Sequence, residues 1–353
     1  MHASQTGHRA RGLRFSKDRA SGPEMRVTMV SATSVPTQRI RTSPLSYFGV
    51  PLGLSGLAGA WLAGHLYLGA PAWPLEILYA LSGAAWLTFA VMYIIRGLRR
   101  PASFREDLRD PVTGPMTAFI PAVAILLSSH YAQYLPGIGP WITVFFVAAL
   151  FLLAAQLVSH WFAAGIGVDS LNGSFFIPVV AGPFIASIGL TVVGFPDAAL
   201  VVWGAGIFFW LSFGTLLMSR HITGSPLPTA ARPALAAFLA APASGGVAWT
   251  LSHPGPLDEV GYLLLGVLLI MLLIQLLLIG EYRKLPFTLQ FWTFTFPAAT
   301  SANFIIRWVS QAQYPGWPVF GWICLGVAST FIALIAAGSI RLLTRKPSAH
   351  PTT

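Results

Sequence analysis

The sequence predicts an all-α integral membrane protein with ten transmembrane helices, arranged as five helical hairpins around a central pore. Its 353 residues are 55% hydrophobic and only 9% charged, with a mean hydropathy of +0.69, which is too apolar for a soluble chain. The apolar residues fall into segments near or above 20 residues, the length that crosses a hydrocarbon core about 30 Å thick. Proline and glycine breaks recur in every second segment, which indicates an inner and an outer set of helices.

The ten apolar segments follow a polar leader. Residues 1–44 contain no apolar run that resembles a secretion signal, so we expect a disordered basic cytoplasmic leader there, with Met25 as an alternative start to Met1. Residues 45–342 form the transmembrane domain, and residues 343–353 form a short cytoplasmic tail. Windows of about 19 residues place the segments near 46–69, 72–96, 113–135, 138–163, 175–194, 198–219, 232–252, 260–280, 286–308 and 317–342.

The basic residues predict the orientation of these segments. Of the 21 Lys and Arg residues, all but Arg307 lie before the first segment, after the last, or at connections that follow an even-numbered segment. The positive-inside rule therefore predicts that both termini and these connections are cytoplasmic. The net charge of +10 is interpreted as a topology signal, and nucleic acid is not expected as a partner.

Proline and glycine distinguish the odd-numbered segments from the even-numbered ones. A proline frees backbone hydrogen-bonding groups, and within a membrane these must be satisfied by neighbouring protein or by water. We therefore expect the odd segments around a pore, with proline kinks that hold them off its axis, and the even segments toward lipid. Tight packing through small residues, without a pore, is the alternative. The residues predicted to line the pore are Gly53, Gly56, Phe119, Pro121, Pro178, Gly182, Pro183, Pro242, Thr295 and Pro297.

The chemistry that the segments lack also constrains function. The sequence has no HExxH, GxxxxGK or GxSxG pattern, no paired cysteines and no histidines at metal-ligand spacing, so we expect no enzyme activity, metal or cofactor. Acidic residues map to segment ends or connections, which disfavours a proton-coupled carrier or a cation pathway. An uncharged cavity suits a partly dehydrated anion, and its expected hydroxyls are those of Ser55, Thr215, Ser244, Thr295 and Thr300.

Segment nine contains an aromatic run, Pro286-Phe-Thr-Leu-Gln-Phe-Trp-Thr-Phe-Thr-Phe-Pro297. Phe296 lies ten residues after Pro286, so at about 1.5 Å per residue it stands about 15 Å deep, near the membrane midplane. A bulky apolar ring at that depth would close a narrow pore by filling it and excluding water. An aromatic packing cluster is the alternative interpretation.

Several blocks of the chain carry a family resemblance. They are Phe287 to Thr300, Tyr47 to Leu57, the Asp110-Pro-Val run that leads to Phe119-Ile-Pro121, and Pro226 to Pro233. Together they resemble the tellurite-resistance/dicarboxylate transporter family, which includes bacterial tellurite-resistance proteins and plant slow-type anion channels. The similarity covers roughly residues 44–342. It implies a pore formed by the odd helices, a phenylalanine gate at Phe296, and a homotrimer in the bacterial inner membrane with one pore per subunit.

The sequence thus predicts a passive channel for small anions such as chloride or nitrate, gated by Phe296. Membrane lipid and small inorganic or organic anions are its expected partners. Arg307 is expected to concentrate anions at the outer mouth, or alternatively to extend to the membrane interface. A secondary carrier or exporter of dicarboxylate, sulfite or tellurite-type oxyanions is the alternative function, and it would need basic residues at mid-depth. A sensor or scaffold has little support because the chain has no sizeable soluble domain.

Overall fold

The structure is a computed structural model that describes residues 44–111, 113–227 and 229–344, without the side chains of residues 169 and 229–231. Nearly all of the predicted leader and tail therefore lies outside the described residues. Within these ranges the chain is helical and contains no β-strand. The twelve α-helices of the described residues are α1 (Gly49–Leu68), α2 (Trp73–Arg99), α3 (Ala102–Arg109), α4 (Phe119–Tyr131), α5 (Gly139–Ala164), α6 (Gly182–Val192), α7 (Pro196–Thr223), α8 (Ala237–Ser252), α9 (Glu259–Leu277), α10 (Ile279–Tyr282), α11 (Thr295–Ala312) and α12 (Trp317–Thr344).

Ten of these helices correspond to the ten predicted segments. Nine segments of the described chain are long and apolar enough to cross a membrane. The remaining predicted segment is segment nine, near residues 286–308. It consists of a 3-10 helix, Leu289–Phe294, followed by α11. This segment is comparable in length but more polar, since it carries Asn303, Arg307 and several hydroxyl groups. The all-α membrane fold is confirmed, and a count of ten spans is consistent with it.

The odd and even segments differ in burial as predicted. We call α1, α4, α6, α8 and α11 the inner helices, and α2, α5, α7, α9 and α12 the outer helices. In the spans that contain the first four inner helices, 61% to 78% of the apolar window is buried, whereas the outer spans bury 11% to 33%. In α11, 14 of 18 residues are buried. The inner helices therefore form the protein interior, and the outer helices present their side chains to the surroundings.

The inner helices form a ring. They contact one another in a closed cycle, in which α1 packs on α4, α4 on α6, α6 on α8, α8 on α11, and α11 on α1. Each outer helix packs on the inner helix that precedes it in the chain: α2 on α1, α5 on α4, α7 on α6, α9 on α8, and α12 on α11. The prediction of five helical hairpins arranged around a central axis is confirmed.

Each inner helix is preceded by a helical segment that is not α-helical. A 3-10 helix precedes α1, α4, α8 and α11, and π-helical residues, Ile177–Ala181, precede α6. Helices of this kind commonly occur at α-helix ends and in short pieces. The inner α-helices are consequently short, at 11 to 20 residues, whereas the outer helices run for 19 to 28 residues.

Most of the prolines predicted to kink the inner helices lie in the first turn of an α-helix. Pro121 and Pro297 are the third residues of α4 and α11, and Pro183 is the second residue of α6. Their missing N–H groups fall where the preceding 3-10 or π-helical residues change to α-helix. The prolines predicted to kink the inner helices at these three positions therefore lie at the junction between the two kinds of helix. Pro178 lies in the π-helical residues that precede α6. Pro242 is the sixth residue of α8 and therefore lies inside an α-helix, where a proline removes a backbone hydrogen bond.

The connections at the end predicted to be cytoplasmic contain two short helices that the sequence analysis did not predict. In α3, Asp107 forms an ion pair with Arg96 at 3.2 Å. In α10, Glu281 pairs with Arg232 at 2.9 Å and with Lys284 at 2.5 Å. The hydrogen bond from Lys284 and its charge hold the pKa of the Glu281 carboxyl below its usual value. Basic side chains at this end are therefore held by local acidic partners.

Candidate pore and gate

Phe296 lies inside the ring of inner helices. It is the second residue of α11 and is 5% exposed. It belongs to one continuous hydrophobic cluster with buried residues from each of the other four inner helices, including Leu52, Ala122, Ile185 and Ala240. An apolar ring in this position is shielded by neighbouring inner helices, which is the geometry that an aromatic obstruction of a central passage requires.

Two glycines of α1 position this region of α11. A Cβ atom at Gly56 would lie 2.9 Å from Cδ2 of Phe296, and one at Gly53 would lie 1.9 Å from Oγ1 of Thr295. Glycine at both positions lets the two helices approach closely, because any larger residue would overlap the α11 side chains. Gly56 thus contacts the predicted gate, Phe296, and Gly53 contacts the preceding residue, Thr295. Both glycines were predicted to line the pore.

The remaining predicted pore residues have mixed surroundings. Gly182 faces outward, since a Cβ there would lie 3.1 Å from Cδ2 of Leu150 on the outer helix α5. This contact favours a packing role for Gly182. Phe119 is the first residue of α4 and is partly buried against the cluster that contains Phe296. The prolines that were predicted to line the pore are all buried: Pro121, Pro178, Pro183, Pro242 and Pro297.

Three of the predicted hydroxyl groups lie on inner helices and are satisfied by their own backbone. Thr295 donates to the Trp292 carbonyl at 2.7 Å, Ser244 to the Ala240 carbonyl at 2.6 Å, and Thr300 to the Phe296 carbonyl at 2.7 Å. Such bonds occupy the hydroxyl hydrogen, so binding an anion here would require the hydroxyl to rotate.

The other two predicted hydroxyls do not belong to an inner cavity. Ser55 is hydrogen-bonded to Ser82 of the outer helix α2 at 2.6 Å. Thr215 is on the outer helix α7, with an exposed bond to the Leu211 carbonyl. The inclusion of these two residues was wrong because a list of polar residues does not tell which face of a helix each one occupies.

Arg307 differs from its expected position at an exposed mouth. It lies on α11 and is only 3% exposed. Its Nε donates to Oδ1 of Asn303 at 2.9 Å, and its Nη1 donates to the Tyr67 hydroxyl at 3.4 Å. The guanidinium carbon is 5.7 Å from the centroid of the Tyr67 ring, within range of a cation–π interaction. Arg307 is therefore a buried charge inside the protein.

Asn303 and Tyr67 were not predicted as site residues. Phe296, Thr300, Asn303 and Arg307 follow at spacings of four, three and four residues, which places them on one face of α11. That face could have been found from the spacing once Phe296 was chosen. Tyr67 could not, because it is 240 positions from Arg307 in the chain and meets it only through the packing of α1 on α11.

The inner helices contain no Asp or Glu, and Arg307 is their one Lys or Arg residue. The nearby carboxylate of Glu76, on α2, binds Nε2 of His130 at 3.2 Å. The His130 ring in turn stacks on Tyr79, with centroids 3.8 Å apart. Within the described ranges, no group of three or more His, Cys, Asp or Glu side chains is arranged to hold a metal ion. The fixed charge of the ring interior is thus positive.

Comparison with known proteins agrees with this architecture. The family described as SLAC1, voltage-dependent anion channel, matches residues 43–340. The chain is 26% identical over 304 residues to the tellurite resistance protein TehA homolog of Haemophilus influenzae, which covers 86% of this chain and 91% of that protein. It is 25% identical over 290 residues to the guard cell S-type anion channel SLAC1 of Arabidopsis thaliana, which covers 78% of this chain and 51% of that one.

Proposed function

The chain belongs to the SLAC1 family of voltage-dependent anion channels, and we propose that it conducts small anions such as chloride and nitrate passively through a pore gated by Phe296. The protein is a multi-pass membrane protein, and its family transports anions. The observation that carries the finer proposal is the burial of the Phe296 ring in a cluster shared with the other four inner helices.

Closure by Phe296 follows from the chemistry of a phenyl ring. The ring is apolar and offers an anion no hydrogen bond in exchange for its hydration shell, so a passage filled by it excludes both water and ions. Gly56 holds the ring from the α1 side, since a Cβ there would lie 2.9 Å from it. Displacement of one side chain would open the passage without rearranging the backbone.

Anion selectivity follows from the charges of the inner helices. With no carboxylate and one arginine, the described inner helices offer a cation no counter-charge and offer an anion a favourable potential. The pore residues we assign are Gly53, Gly56, Phe119, Pro121, Pro178, Pro183, Pro242, Thr295 and Pro297, with Gly182 supporting α6 from its outer side.

Replacement of Phe296 by Ala tests the gate. We expect Phe296→Ala to raise anion conductance in planar bilayers at least tenfold, because the passage is no longer filled at this depth. Phe304→Ala is the matched control: Phe304 is also buried on α11, but it packs on Gly246 of α8 in a different cluster. Wild-type currents in a folded Phe296→Ala protein, or equal currents in both variants, would refute the gate.

A carrier or exporter of dicarboxylate, sulfite or tellurite-type oxyanions is the second candidate. It is favoured by the burial of Arg307, since a buried cation is able to hold an anionic substrate. Reversal potentials of the purified protein under chloride, nitrate, sulfite and malate gradients separate the two. A channel gives a potential set by the permeant anion, whereas a carrier gives saturating flux without single-channel current.

We also propose a homotrimer in a bacterial inner membrane, with both termini in the cytoplasm. The distribution of basic residues supports the orientation. Labelling by an impermeant reagent in whole cells tests it, with a cysteine introduced at Thr113 or at Gly137, on opposite ends of the α4 hairpin, in a Cys324→Ser protein. We expect Gly137→Cys to be labelled and Thr113→Cys to be protected.

A further inference from the structure

Arg307 keeps unused hydrogen-bonding capacity inside the protein. A guanidinium has five N–H groups. In the described part of the chain, the Arg307 side chain uses one on Asn303 and one on Tyr67. Asn303 accepts through Oδ1, which leaves its Nδ2 amide as a donor beside Arg307. Gly59 gives this amide room, since a Cβ there would lie 3.0 Å from Nδ2. Three N–H groups of Arg307 and the Nδ2 amide of Asn303 therefore have no hydrogen-bond acceptor among the described residues.

The charge of Arg307 is also uncompensated. No carboxylate oxygen of the described residues lies within 4.0 Å of its nitrogens, and Glu76 is engaged with His130. Removing an unpaired charge from water is unfavourable, and a cation–π contact with one tyrosine offsets only part of this cost. A bound anion would supply both the missing counter-charge and the missing acceptors.

The position of this charge relates it to the ion path. Arg307 lies on the same face of α11 as Phe296 and 11 residues beyond it, about 16 Å along the helix axis. Tyr67, which contacts it, is 38% exposed near the end of α1. Arg307 therefore lies toward the end of the ring opposite the ion pairs of α3 and α10.

We propose that Arg307, Asn303 and Tyr67 form a binding site for one small monovalent anion between the gate and the outer end of the ring. This assignment deepens the proposed anion channel and depends on it for its role in conduction. The single positive charge fits a monovalent ligand. The planar edge of the guanidinium matches two oxygens of a planar oxyanion, so nitrate binds more tightly than chloride.

Thermal unfolding of the purified full-length protein tests binding without any current. Sodium nitrate replaces sodium gluconate at constant ionic strength, and the unfolding midpoint is recorded. We expect the wild-type midpoint to rise with nitrate, and to rise less with chloride, because a ligand that binds the folded state stabilises it. The shift should disappear in Arg307→Gln. Arg232→Gln, which removes an arginine paired with Glu281 at the other end, should keep the full shift.

A second readout separates binding from a purely structural role. If the unpaired charge is the defect that the anion corrects, Arg307→Gln should unfold at a higher temperature than wild type in nitrate-free buffer. Should Arg307→Gln fail to fold, Arg307→Lys keeps the charge without the planar edge, and it should bind nitrate and chloride equally. An equal nitrate shift in wild type and Arg307→Gln, or an unchanged nitrate preference in Arg307→Lys, would overturn the site.

The outcomes for the site and for the gate are distinguishable. Nitrate stabilisation that depends on Arg307, in a protein whose Phe296→Ala variant is silent, supports the site and refutes the gate. Conductance in Phe296→Ala, together with nitrate stabilisation that does not depend on Arg307, supports the gate and refutes the site.

Discussion

The inner helices of this protein are shorter and more interrupted than the outer helices, yet they bury far more of their residues. The contrast is clear between α9, the most hydrophobic span, which buries 17% of its apolar window, and α11, in which 14 of 18 residues are buried. The more hydrophobic helix is the more exposed one. In a membrane, hydrophobicity records contact with lipid, whereas burial depends on small residues and backbone shape that let helices meet.

Replacing a phenylalanine in an inner helix and one in an outer helix should give the largest difference in unfolding free energy. Phe304→Ala in α11 removes a fully buried ring and leaves a cavity, so we expect a loss of about 3 kcal/mol in unfolding free energy. Phe208→Ala in the outer helix α7, where the ring is 64% exposed, should have little effect. Unfolding of both variants in mixed micelles measures the difference. A comparable loss for Phe208→Ala would show that this outer face packs on another subunit.

Replacing a glycine by alanine should change the unfolding free energy by less, and the sign of the change should differ between the inner and the outer helices. At Gly246 of α8 the new Cβ would lie 2.4 Å from Cε1 of Phe304, so we expect Gly246→Ala to destabilise by about 1–3 kcal/mol. At Gly266 of α9 nothing lies within 4 Å, and Ala should be neutral or stabilise by up to about 1 kcal/mol through helix propensity. Unfolding midpoints of the two variants measure this. Equal midpoints would contradict close packing as the basis of the ring.

Replacement of a first-turn proline should have the smallest effect. Pro297→Ala adds an N–H in the first turn of α11 and frees the unfolded chain, so we expect these opposed effects to leave a change of less than about 1 kcal/mol. Circular dichroism and the unfolding midpoint measure it. A loss of several kcal/mol would mean that Pro297 maintains the junction between the 3-10 helix and α11.

Much of this fold could be predicted because the period and spacing of apolar residues are local properties. The alternation of Gly and Pro predicted the inner and outer sets, and the contacts of the five inner helices confirm it. The same alternation did not predict that Pro121, Pro183 and Pro297 lie where 3-10 or π-helical residues change to α-helix, because the letters do not distinguish these kinds of helix. It also missed α3 and α10, whose polar composition resembles that of a loop.

The candidate site was predicted only in part. Phe296 was chosen from its depth and its neighbour Pro297, and the structure places it in the shared cluster of the inner helices. Arg307 was expected at an exposed mouth because it is the one basic residue outside the cytoplasmic connections. Its burial depends on α1, whose Gly53, Gly56 and Gly59 allow α11 to pack closely enough to enclose the charge.

The sequence by itself determined the membrane class, the segments, the order of the hairpins and the charge pattern, because each follows from residues near one another in the chain. Only the tertiary structure decided which face of each inner helix is enclosed, and that Tyr67 and Asn303 are the partners of Arg307. The physical reason is that a side chain's surroundings are set by close contacts between helices distant in sequence, and such contacts leave no periodic signal in either helix alone.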